Sequence, residues 1–155
     1  MISAGGPTDP VPGNNTARDG GVVISVPTVD FAAAKTGPIP ALVVVGNSYS
    51  WQISTTNIGN APFIGVVRMT DNLPAGLEAT GYDLNGWTCL PAASTGSPVV
   101  GPAAITCERT YTVADPLPAG ASPPAVQLFT VATAEGQITN SMTVSAPVAN
   151  IADGN

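Results

Sequence analysis

The chain of 155 residues has no histidine and a single lysine, and charged residues make up only 9% of it. Histidine is the commonest general base of enzymes, and no paired carboxylates stand at a useful spacing, so a conventional enzyme is not expected. The formal net charge of −6 argues against nucleic acid or an anionic membrane surface as a partner. No apolar run approaches the ~20 residues that span a bilayer, so we expect no membrane insertion.

Glycine and proline are abundant, with 17 and 16 residues, whereas aromatic residues make up 5% of the chain. Hydrophobic residues still amount to 44%, which is enough to bury a core, so we do not expect the whole chain to be disordered. No basic segment followed by an apolar stretch stands at the start. For an exported protein we therefore expect a mature fragment without its signal peptide.

Short alternating segments separated by turn signals indicate β-strands, and no segment has a convincing helical periodicity. Residues 48–54 place Tyr49, Trp51 and Ile53 on one face and polar residues on the other, as in a half-buried strand. Seven or more short strands with regular turns predict an all-β fold, an immunoglobulin-like antiparallel β-sandwich. The other predicted strands are residues 22–26, 29–35, 42–45, 64–70, 105–113, 126–133 and 137–145.

The two ends of the chain resemble each other. Ile2-Ser3-Ala4 matches Val144-Ser145-Ala146, and an Asp followed by Gly-Asn comes after both. The similarity predicts one unit of a tandem array whose partners are neighbouring repeats of the same chain; chance similarity among common residues is the alternative. The predicted organisation is a linker or terminal strand of the preceding repeat (residues 1–21), the sandwich repeat (22–149) and the start of the next linker (150–155).

Cys89 and Cys107 each lie in a strand-like piece, on either side of a loose loop rich in Pro, Gly and Ser. A disulfide between them would close a loop of about 18 residues and contribute roughly 3 kcal/mol to stability. It would also favour an oxidising compartment. Two buried thiols are the alternative, and two thiols without histidine do not predict a metal site.

Six short motifs follow one another between about residues 29 and 146. They are Thr56-Asn57-Ile58-Gly59, Asp71-Asn72-Leu73-Pro74-Ala75-Gly76, Gly86-Trp87-Thr88-Cys89, Thr106-Cys107, Leu117-Pro118-Ala119-Gly120 and Ile138-Thr139-Asn140. This ordered set resembles a bacterial surface-protein repeat, the family catalogued as domain of unknown function eleven. The resemblance implies an immunoglobulin-like sandwich strung in tandem in large exported proteins, an extracellular or cell-surface location, and no enzymatic activity.

Three polar residues fall on stripes that strand parity assigns to the core. Lys35, Asp71 and Asn140 each share a face with apolar neighbours, because alternate residues of a strand point to the same side. Burying any one of them alone would cost several kcal/mol. We therefore expect the three side chains to lie together and to satisfy one another.

An amine, a carboxylic acid and an amide are also the parts of an intramolecular isopeptide bond. A lysine shielded from water has a lowered pKa, so its neutral amine can attack the Asn140 side-chain carbonyl. A buried Asp71 would relay protons while ammonia leaves, and such self-crosslinking is the most chemistry we expect of this chain. The alternative is an ordinary polar cluster, in which Lys35 pairs with Asp71 and Asn140 bonds to the backbone.

Two other segments could bind a ligand. Asp9, Asn14, Asn15 and Asp19 form an oxygen-rich linker of the kind that supplies ligands to Ca²⁺, the one cofactor candidate, although most polar linkers hold no ion. Ser94, Thr95 and Ser97 lie in the loop between the two cysteines. This loop is the candidate surface for a host or surface glycan or a protein partner.

The sequence therefore predicts a non-catalytic structural repeat, a stalk or spacer unit of an extracellular bacterial surface protein or adhesin. One alternative is an adhesive module that binds a glycan or a protein. The other is a filament subunit whose terminal segment, residues 2–26, completes the sheet of a neighbouring copy by strand addition.

Overall fold

The computed structural model describes residues 25–38 and 43–146, together with the backbone of 149–151. This part of the chain contains strands and turns but no helix, and so no helix that could cross a bilayer. The strands are β1 (Phe31–Thr36), β2 (Ser48–Asn57), β3 (Phe63–Leu73), β4 (Leu77–Asp83), β5 (Thr88–Leu90), β6 (Val99–Val100), β7 (Ala103–Tyr111), β8 (Val126–Ala132), β9 (Ser141–Ser145) and β10 (Ala149–Ile151).

Two antiparallel sheets form the predicted immunoglobulin-like β-sandwich. The first sheet has the order β1-β2-β8-β4-β6, and the second has the order β10-β3-β7-β5. Strand β9 also pairs with β3, so β3 is flanked by β7 on one side and by the two last strands, β9 and β10, on the other. β1 lies at the edge of its sheet and pairs only with β2 among the described strands.

The core lies between the sheets because alternate residues of the long strands point inward. Trp51, predicted from its alternating neighbours to be buried, is 8% exposed. Phe63 is fully buried and packs edge-on against Phe31 and Tyr111, with ring centroids 5.0 and 6.4 Å away. Both sheets contribute to the fully buried set, which includes Ile53, Phe63, Met69, Leu73, Leu77, Ile105 and Leu128.

Most predicted strands are present with shifted ends, and two predictions are wrong within the described residues. Residues 43–45 and residues 25–26 form no strand; a turn at Val45-Gly46 interrupts the apolar run after residue 42. The strand predicted from residue 137 begins at Ser141. β5 coincides with the strand-like piece expected around Cys89, whereas three strands were not predicted: β4, whose alternation is broken by a register shift between Ala79 and Gly81, and β6 and β10, which are only two and three residues long.

The described chain enters and leaves the sandwich at the same end. Phe31, the first residue of β1, packs on Phe63, and Ile151, the last residue of β10, pairs with Phe63. We call this end the entry pole. Asp71 stands eight residues further along β3, about 26 Å away at the ~3.3 Å rise of a strand; this end is the far pole.

Candidate functional site

Lys35 lies near the end of β1 at the far pole, and its side chain points between the sheets. It pairs with the fully buried Ile53 of β2, and its own side chain is only 11% exposed. Gly37 follows with φ +119°, and a Cβ there would lie 2.7 Å from the Ser50 backbone oxygen. The close approach that only glycine permits holds the end of β1 against β2 and so fixes the position of Lys35.

Asp71 is fully buried and lies on β3, which is flanked at this residue by β7 on one side and β9 on the other. Its Oδ2 contacts the Nζ of Lys35, which also lies 5.1 Å from the centroid of the Trp51 ring. The structure thus brings Lys35 and Asp71 together. Because Lys35 belongs to the first sheet and Asp71 to the second, this contact joins the two layers.

Asn140 immediately precedes β9 and is 9% exposed. Within β9, Met142 pairs with Asp71 and Ser141 with Asn72, so Asn140 comes next to this pairing, on the same face as Met142. Its amide therefore lies on the inward-facing side of the second sheet, as the side chain of Asp71 does. Both polar atoms of the amide, Oδ1 and Nδ2, are buried and have no hydrogen-bond partner among the described residues.

Three other buried polar side chains, those of Thr55, Asn57 and Thr130, are hydrogen-bonded. Asn57 donates to the backbone carbonyl of Ala61 at 2.9 Å, and its Oδ1 accepts from the Gly59 N–H at 3.1 Å. The hydroxyls of Thr55 and Thr130 each donate to a backbone carbonyl, at 3.0 and 3.3 Å. Sequence reasoning missed the structural role of Asn57, which continues the inward alternation of β2 and precedes a glycine by two positions.

The unpaired buried atoms are concentrated around Lys35. Five buried side-chain polar atoms lack a partner in the described part of the chain, and four of them belong to Trp51, Asp71 and Asn140; the fifth is the hydroxyl of Tyr111. Each such atom costs about 1–3 kcal/mol when it is left unsatisfied. The cluster at the far pole therefore contains unsatisfied polar atoms, whereas the buried amide of Asn57 is hydrogen-bonded.

Burial also changes the chemistry of the amine. It lowers the pKa of Lys35 from 10.5 to about 8, because the charged form loses its hydration. About a tenth of the amine is then neutral at pH 7, whereas an unperturbed lysine is ~0.03% neutral. The neutral amine is the form that can act as a nucleophile.

Cys89 and Cys107 form the predicted disulfide, which excludes the alternative of two free thiols. They are directly opposite each other on β5 and β7, with 4.0 Å between their Cα atoms. Both are buried in the core. The bond encloses the loop that carries β6.

The predicted ligand-binding loop forms a tight exposed turn. Ser94 and Ser97 exchange two backbone hydrogen bonds of 3.1 Å, and the Ser97 N–H also donates to the Ser94 hydroxyl, while Thr95 stands exposed at the tip. A cavity of about 450 Å³ lies elsewhere, against Tyr49 and Trp51.

The calcium candidates lie outside the described residues: Asp9, Asn14, Asn15 and Asp19. Within residues 25–38 and 43–146, no three His, Cys, Asp or Glu side chains stand close enough to hold a metal ion.

A scan of the sequence against protein-family models found no match, and a search of curated proteins found no similar protein. The resemblance to a bacterial surface-protein repeat therefore stays a prediction that depends on the six motifs.

Proposed function

We propose that this chain is a non-catalytic structural repeat, a stalk or spacer unit of an extracellular bacterial surface protein or adhesin. The observation that supports this role is the Lys35–Asp71 contact. It connects β1, the first strand, to β3, the strand that also holds β9 and β10. A single point at the far pole thus links the first and the last strands of the described chain.

Tension between these ends would act at the entry pole. It would peel β1 from β2, and β10 and then β9 from β3, one residue pair at a time, and it would reach the far pole last. A covalent bond between Lys35 and Asn140 would stop the extension there, before the rest of the sandwich opens. Under tension, such a spacer would lengthen by the peeled parts of its first and last strands and would then resist further extension.

The disulfide adds a second tie inside the same fold. Cys89 and Cys107 join two neighbouring strands of the second sheet, and such bonds persist in oxidising compartments. This supports an exported location. The neighbouring repeats of the same chain would be the main partners of the unit.

A binding assay of the single unit tests the structural role. On a glycan array and in a cell-adhesion assay, the unit should bind no better than an unrelated β-sandwich of similar charge. Specific binding would overturn the spacer assignment and support the adhesive module instead.

One observation favours the binding module as the second candidate. The cavity of about 450 Å³ is lined by Tyr49, Trp51 and Glu135 among others, so it combines an aromatic surface with one charge. If the array identifies a ligand, Tyr49→Ala should abolish binding at this cavity and Thr95→Ala should leave it unchanged. The opposite pattern would locate the ligand on the Ser94–Ser97 turn.

The filament alternative depends on residues 2–26, nearly all of which lie outside the described residues. The last residue of this segment and the chain just after it are anchored on their own sandwich, because Asn60 accepts from the Thr28 N–H at 2.6 Å and donates to the Val26 carbonyl at 3.0 Å. Light scattering over a concentration series decides this alternative. A monomer at all concentrations contradicts it, and concentration-dependent chains favour it.

A further inference from the structure

We infer that Lys35 and Asn140 join spontaneously in an isopeptide bond and that Asp71 carries the protons of the reaction. The mechanical value of this bond rests on the proposed structural role, but its chemistry depends only on the three side chains and their surroundings. The bond would connect residues 105 positions apart (140 − 35) in the sequence.

The topology brings the three groups to one place. Lys35 lies on the edge strand β1, and Asp71 lies on β3. Asn140 directly precedes β9, where that strand begins to pair with β3 beside Asp71. β1 and β9 also contact each other directly, although they belong to different sheets. The amine and the amide are therefore on the two strands that meet across the gap between the layers.

The hydrogen bonds distinguish this site from an ordinary polar cluster. An ordinary cluster requires Asn140 to bond to the backbone, as Asn57 does. The Asn140 amide has no such bond, and neither has Oδ1 of Asp71. A crosslink removes the mismatch, because Nδ2 departs and the new amide N–H can donate to the carboxyl group of Asp71.

The reaction balances without any other reactant. The neutral Nζ of Lys35 attacks Cγ of Asn140 while protonated Asp71 donates to the developing oxyanion at Oδ1. Asp71 then takes a proton from the attacking nitrogen and delivers one to Nδ2. The Cγ–Nδ2 bond breaks and ammonia leaves while the proton on Oδ1 returns to Asp71, so the new Nζ–Cγ amide and the original protonated form of Asp71 remain.

Burial favours this route over hydrolysis. Asp71 is fully buried, and Asn140 and the Lys35 side chain are 9% and 11% exposed, so few water molecules compete for the amide carbon. Holding the nucleophile beside its target also replaces a bimolecular encounter by an intramolecular one. Folding therefore assembles the site, and an unfolded chain should remain uncrosslinked.

The mass of the intact, reduced protein tests the inference. Wild-type protein, shown by circular dichroism to be folded, should be lighter than its sequence by one ammonia. Lys35→Arg keeps a cation beside Asp71 but removes the nucleophile, and Asp71→Asn removes the proton carrier at almost constant shape. Both variants should have the full mass, and a folded wild type of full mass would overturn the inference.

Peptide mapping locates the loss of ammonia. Lys35 is the only lysine, so trypsin should leave residues 19–68 uncut and joined to residues 110–155 in the wild type, but should release residues 19–35 if the amine is free. The Asn85-Gly86 pair could also lose ammonia by forming a succinimide. A deficit that persists in Lys35→Arg, or maps to Asn85, would overturn the crosslink, and the wild-type map decides even if a variant fails to fold.

Discussion

Replacing Asn140 by alanine should lower the free energy of unfolding by about 4–5 kcal/mol, the entropy of closing a loop of about 105 residues. The disulfide already bypasses 18 of these residues, which reduces the expected loss by only about 0.2 kcal/mol because the loop entropy grows with the logarithm of length. The substitution also removes the hydrogen bond that the crosslinked amide N–H would donate to Asp71, which is worth about 1 kcal/mol. Most of the measured loss would therefore come from the covalent bond.

Denaturant unfolding measures this loss through the fluorescence of Trp51 and Trp87, which are both buried. Lys35→Arg should lower the stability by a similar amount, and the double variant with Asn140→Ala should lose no more than either single variant, because one bond is removed in each case. Asn72→Ala is the matched control, since Asn72 is exposed on β3 next to Asp71, and it should change the stability by less than ~0.5 kcal/mol.

The reasoning is refuted if Asn140→Ala and Asn72→Ala unfold at the same denaturant concentration. It is also refuted if the effects of Lys35→Arg and Asn140→Ala add together, since additive losses indicate two independent groups rather than one bond.

Two further predictions follow from the disulfide and from the lysine. Replacing Cys89 and Cys107 together by alanine should lower the free energy of unfolding by about 3 kcal/mol, and an unchanged unfolding midpoint would count against a structural role of this bond. In Asn140→Ala, Lys35 stays a free amine, and burial lowers its pKa from 10.5 to about 8, so the unfolded state binds more protons between these pH values and stability should rise there. The difference in stability between wild type and Asn140→Ala should therefore shrink as the pH rises from 8 to 10.5; a constant difference means that the amine titrates alike in both, which contradicts the crosslink.

The strands that could be predicted from the sequence are the long ones with one buried face. The alternation of Tyr49, Trp51 and Ile53 is a local pattern, and it marks β2 because one side of that strand faces the core. β5 and β6 are too short to show any period, and they form because β7 and β4 supply their hydrogen bonds. The valines after residue 42 had the composition of a strand, but Val44 and Val45 are exposed in a loop that turns at Gly46.

Strand parity also placed three polar residues on inward stripes, but it could not show which of them meet. The pairing of Met142 with Asp71 joins residues that are far apart in the sequence, and only the tertiary fold fixes that register. Parity also placed Ala33 on the same face as Lys35, yet Ala33 is exposed because β1 is an edge strand. The unpaired state of the Asn140 amide has no sequence signal at all.

The shared pole of entry and exit has a consequence for how such a unit can be combined with other proteins. Phe31 packs on Phe63 from the other sheet and Ile151 pairs with Phe63, so the first and last described strands approach to about 10 Å, the spacing of two packed sheets. Chain ends this close fit into a single surface loop of a host protein without separating its two sides. The sandwich should therefore be tolerated as a pendant insertion, projecting sideways from the chain that carries it.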